Sequence, residues 1–106
     1  MQTEERNQAV KKMEVKIANF QRKLQLIDKD LTVELGKRGE VLGLLNPVVK
    51  YKDTEILEAI KFYGIEQPRL FVGFDNISLD KAGVYANAMI MLGKFMGENK
   101  EDWKDY

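Results

Sequence analysis

The stretch VKKMEVKIANFQRKLQLIDKDLTVEL, residues 10–35, decides how the chain is read. Val10, Met13, Ile17, Phe20, Leu24, Ile27 and Leu31 alternate at spacings of three and four, the a and d positions of consecutive heptads. No Gly or Pro falls between residues 3 and 35. Thr3 followed by Glu4 and Glu5 reads as an N-cap and a negative first turn. The pattern predicts one amphipathic helix from Thr3 to at least Leu35. At 1.5 Å per residue that helix would be a rod of roughly 50 Å, longer than the body a chain of this size offers as a packing partner. The seam therefore calls for a second helix or another subunit, and its seven residues are the candidate oligomer interface. A weaker apolar line, Val15, Leu26 and Val33, lies about 160° from the seam at 100° per residue and implies contact on two sides, as in a bundle.

The segment that follows carries Gly36, Gly39 and Gly43. Gly36 through Gly39 read as the turn of an αα-hairpin, with a short helix from Glu40 to Leu45. A helix continued to Leu45 is the second reading, penalised by about 1 kcal/mol for each interior Gly. The third pairs Leu31–Leu35 with Glu40–Leu44 as a β-hairpin, which conflicts with Leu31 belonging to the heptad run. Asn46-Pro47 ends the segment. Val48–Tyr51 is a short strand or extended link. Asp53 reads as the cap of a helix from Thr54 to about Tyr63, with Ile56, Leu57, Ile60 and Tyr63 inward and Gly64 as its stop.

Leu70–Phe74 is the best strand candidate. Arg69-Leu70-Phe71-Val72-Gly73-Phe74 resembles the shorter RNA-contacting strand motif of RRM domains. The second aromatic motif of that fold is absent, so no site residue is carried over. Ser78 reads as the cap of a last helix, Leu79 to Met96, apolar almost all round and hence a core helix or an association surface. A charged tail with Trp103 follows.

Composition narrows the chemistry. The 106 residues hold 17 basic and 17 acidic side chains, a net charge of zero, which weakens broad attraction to nucleic acid or anionic membrane. There is no Cys and no His, which removes thiol chemistry, the commonest base near pH 7 and the commonest transition-metal ligand. No apolar run reaches the ~18–20 residues of a membrane span, and Met1–Glu5 lack a secretory signal, so a cytoplasmic location is expected.

Three constellations remain. Asp28 with Asp30, and Asp30 with Glu34, are carboxylate pairs that read as an exposed helix face. Lys37 and Arg38, between glycines, are candidate anion-binding residues, although the P-loop spacing is missing. Lys12, Lys16 and Lys23 flank the seam, and Asp30 and Glu34 interrupt the basic stripe that a nucleic-acid site wants.

The sequence thus predicts a single, mostly α domain over residues 1–106. A long helix or hairpin segment occupies residues 1–45, a helical body residues 46–97 and a tail residues 98–106, with a minor β element at Val48–Tyr51 and Leu70–Phe74. The expected function is a non-enzymatic interaction protein, an inhibitor or adaptor, that self-associates through helices and binds a protein partner. A small oligomeric anion- or nucleotide-binding protein is the alternative, followed by a weak nucleic-acid binder. No cofactor, metal or membrane partner is expected.

Overall fold

Strand-forming residues on either side of tight turns, rather than a continuous helix, organise the chain. The computed structural model describes residues 3–36, 46–62, 64–65, 67–73 and 78–103. Helix α1 spans Thr3–Gln25, followed by strands β1 (Leu31–Leu35), β2 (Pro47–Tyr51), β3 (Thr54–Ile60) and β4 (Arg69–Val72). A 3-10 turn at Leu79–Lys81 leads into helix α2 (Ala82–Glu98), and a single turn, α3, covers Lys100–Trp103. The strands form one antiparallel sheet in the order β1-β2-β3-β4. Both long helices pack on the same face. The result is a mixed α/β fold whose two long helices form a layer over one face of the sheet.

The expectation of a mostly α domain with a helix from Thr3 to at least Leu35 is overturned, and with it the coiled coil. The helix stops at Gln25 because the next residues satisfy their backbone elsewhere. Its last turn tightens as the Leu26 and Ile27 amides donate to Lys23 and Leu24. The Asp28 carboxylate then accepts from the Asp30 amide at 3.0 Å, an Asx turn that reverses the chain. Beyond it, Leu31, Val33 and Leu35 face the helices while Thr32 and Glu34 face away, the period-two alternation of a strand. Leu24 and Leu31 are both core residues, and their heptad spacing bridges a turn by coincidence. The possible minor β element is in fact the whole four-stranded sheet.

The helix expected from Thr54 to Tyr63 is strand β3 as far as Ile60. Ile56, Leu57, Ala59 and Ile60 are all buried, so the sequence lacks the alternation of a half-buried strand. Burial at 56, 57 and 60 imitates a helical face. The pairing register with β2 shifts between Val49 and Lys50, which breaks the alternation further. The turn at Lys52 and Asp53 closes the β2–β3 hairpin with positive φ at both residues, 49° and 67°. The alternatives for residues 37–45 lie outside the described residues, as does Tyr63.

One row across the sheet, Val33, Val49, Leu57 and Val72, lies in register beneath the helices. Met13, Ile17, Phe20 and Leu24 of α1 and Tyr85, Ala88, Leu92, Phe95 and Met96 of α2 close over the sheet. Phe20 and Phe95 stack at 4.5 Å where the helices meet. Burying these side chains drives the fold at roughly 25 cal/mol per Å2 of apolar area.

Candidate functional site

Six of the seven seam residues turn into the core of a single copy. Met13, Ile17, Phe20, Leu24 and Leu31 are 0–6 % exposed inside a single copy, and Ile27 is partly buried against the same core. Val10 lies in α1 by its backbone. Of the second apolar line, Val15 and Leu26 are exposed and Val33 is buried in the sheet. Lys37 and Arg38 lie outside the described residues.

The carboxylate pairs are also separated. Glu34 pairs with Lys50 at 2.7 Å on the face of the sheet away from the helices. That contact is the first cause of the raised pKa of Lys50, with burial opposing and the charges of Glu34, Glu55 and Asp53 adding. Asp28 instead anchors a cluster at the end of the sheet. It accepts from the Tyr51 hydroxyl at 3.2 Å and pairs with Lys81 at 3.4 Å. The Asp30 amide is the main cause of its lowered pKa; burial opposes, and Tyr51 and Lys81 reinforce. Lys81 is raised first by the Tyr51 hydroxyl and then by Asp28. Tyr85 meets the Tyr51 ring edge-on at 5.6 Å, and burial raises its pKa. These groups satisfy one another, and the cluster ties α2 to the turn after α1. Among the described residues no group of three Asp, Glu, His or Cys is placed to hold a metal ion.

Between the helices runs a groove of about 260 Å3. Phe20, Met91 and Phe95 form its floor, with Lys16 and Lys23 of α1 and Lys94 of α2 on its rims and Glu98 beside them. Three lysines against one glutamate leave its rim net positive.

The two edges of the sheet are built differently. In β1 the amides of Leu31, Val33 and Leu35 point away from β2, as shown by the bonds that the flanking pairs make: Lys52 to the Asp30 carbonyl and Gly36 to the Asn46 carbonyl. α1 lies beside that edge and covers it. The Val33 amide donates to Gln21 Oε1 at 2.9 Å, and Gln25 Nε2 donates to the Leu31 carbonyl at 3.1 Å. Two glutamines one helical turn apart thus take the place of a fifth strand.

Strand β4 has no such cover among the described residues. Gly73 donates to the Ile56 carbonyl, so Arg69, Phe71 and Gly73 bond inward to β3. The amides and carbonyls of Leu70 and Val72 therefore point outward. Leu70 is 42 % exposed and Phe71 44 %, with Ile65 exposed nearby. Phe71 stands on the face away from the helices, against Phe62, ring centroids 6.3 Å apart. On the helix side, a trough of about 230 Å3 separates Leu70 and Pro68 from Leu92, Gly93, Met96 and Gly97 of α2. The side of α2 above this trough, Ala82, Ala86, Met89, Gly93 and Gly97, is exposed and uncharged. The last helix, expected to be a core helix or an association surface, buries one side in the core and exposes an apolar one.

Sequence reasoning found the strand here and missed its position at the edge. The usable signal was Pro68-Arg69 before an apolar triplet, since Pro and charge gather at sheet edges. Comparison with protein families, curated proteins and solved structures finds no match to this chain.

Proposed function

We propose that the chain is a non-enzymatic interaction protein that engages protein partners by strand addition at β4, with the smooth side of α2 as the adjoining contact. One observation carries this reading: Gln21 and Gln25 bond the β1 edge at Val33 and Leu31, while among the described residues the outward backbone groups of β4 have no cover beside half-exposed Leu70 and Phe71. Pro68 and Arg69 mark only the start of the strand, and the unpaired backbone groups of Leu70 and Val72 can pair with another extended segment, whose backbone bonds give affinity and whose alternate side chains give selectivity. The lack of Cys and His and the mutual satisfaction of Asp28, Tyr51 and Lys81 favour binding over catalysis.

Site-specific photo-crosslinking in expressing cells tests it. A photoreactive residue at Phe71 is expected to trap a protein adduct, and one at exposed Val15 is not. Val72→Pro removes an outward amide that β3 does not use, so it should abolish the adduct and leave the fold intact. No adduct at Phe71, or equal trapping at Val15, overturns the reading.

The helix–helix groove favours a second reading, a small anion held by Lys23 and Lys94 over the Phe20–Phe95 floor. A thermal-shift series with inorganic phosphate and aromatic carboxylates checks it. A shift that disappears in Lys23→Ala/Lys94→Ala supports it, and no shift rejects it.

A further inference from the structure

β4 is not only open; it is complementary to itself. Of the described residues in the strand, Leu70 and Val72 alone direct backbone groups outward, and Phe71 lies between them. If two copies meet antiparallel about a two-fold axis at Phe71, Leu70 of each stands opposite Val72 of the other. All four outward residues then sit in hydrogen-bonded pairs, giving four bonds across the joint. A two-fold axis at Leu70 or Val72 leaves one of those residues without its counterpart. In the Phe71 register Leu70 and Val72 meet beneath the helices. The two Phe71 rings meet on the other face, each backed by its own Phe62. An aromatic pair of this kind is worth more than its buried area alone.

Charge and area favour a second copy too. Leu70, Phe71, Val72 and Gly73, which form the centre of the joint, carry no charge, and the basic groups beside them, Arg69 and Lys100, stand at its rim. A standard interface takes roughly 800 Å2 per partner, contributed by about 20 residues, more than a four-residue strand supplies. The exposed, uncharged side of α2 adjoins the same trough and extends the patch. α2 sits over β3. Strand spacing of about 4.8 Å puts the two β3 strands about 14 Å apart across the joint, against 8–10 Å between packed helices. Side chains such as Met89 and Leu70 therefore fill the space between the helices.

We infer that the partner of β4 is a second copy of this chain, joined two-fold at Phe71 into a continuous eight-stranded sheet. This rests on the reading of β4 as the docking edge. The absence of native Cys makes the register directly readable. In a non-hydrogen-bonded pair the Cα atoms are about 4.5 Å apart, within disulfide reach. Two copies of residue 70 are two positions out of register and roughly 8 Å apart, beyond it. Mild oxidation is therefore expected to join Phe71→Cys into a covalent dimer at least tenfold faster than Leu70→Cys.

Light scattering of the unmodified chain at 100 μM should give twice its 12.3 kDa mass. Phe71→Lys, checked for folding by circular dichroism, should weaken the dimer at least tenfold. A monomer at that concentration, or equal oxidation of the two Cys variants, overturns the inference. A monomer whose Phe71 still traps another protein in cells leaves the docking edge standing and removes only the second copy.

Discussion

Leu24 and Leu26 stand two residues apart at the end of α1 and face opposite environments. Leu24 is 0 % exposed and Leu26 is 88 % exposed. Leu24→Ala should cost about 2–5 kcal/mol in denaturant unfolding, from lost burial and the cavity left behind. Leu26→Ala should stay within about 0.5 kcal/mol. Equal effects would contradict the placement of α1 on the sheet. Asp28 gives a pH signature. Its folded pKa lies below the ordinary 3.8, so its contribution is present above that value and lost as pH falls through the folded one. Lys81 lies above its ordinary 10.5, so its contribution is present below that pH and lost as pH rises through the folded value. Asp28→Asn should therefore lower the melting temperature near pH 6 by an amount that shrinks toward pH 3. A constant difference across that range would remove the carboxylate from the account.

At the scale of elements, the β2–β3 hairpin turns through two left-handed residues that are not glycine. Left-handed geometry costs an L-residue about 1–2 kcal/mol, and Gly gives back about 0.5–1 kcal/mol in unfolded-chain entropy. Asp53→Gly should thus raise stability by about 0.5 kcal/mol, read as a higher denaturant midpoint at unchanged slope. The same elements show what the sequence disclosed. The amphipathic stripe from Met13 to Leu24 was legible because one face of an α-helix repeats at three and four. The end of the helix was not, because Leu31 continued the count across a turn made by a side chain, Asp28. β3 was hidden by burial of Ile56, Leu57 and Ile60 together, which removes the two-residue period. Leu70–Val72 was legible as a strand from its composition. Its place at the edge was not, since strand order depends on contacts distant in sequence.

At the scale of the whole molecule, the sheet has one end closed by α1 and one end open at β4. Number of joints, rather than strength, is what this asymmetry controls. A sheet open at both ends is divalent: each added copy leaves another end free, and growth runs on into a fibre. With β1 capped by α1, the proposed pairing through β4 would make the chain monovalent, because it uses the one uncovered edge among the described strands. Gln21→Ala/Gln25→Ala strips the seal without touching β4. It should turn a fixed mass into one that climbs with concentration and time in light scattering, while Phe71→Lys added to it should stop the climb. An unchanged mass would mean that the body of α1 suffices as the stopper. The two glutamines are then stoichiometric residues: they bear on how many copies assemble and leave the affinity between any two to Leu70, Phe71 and Val72.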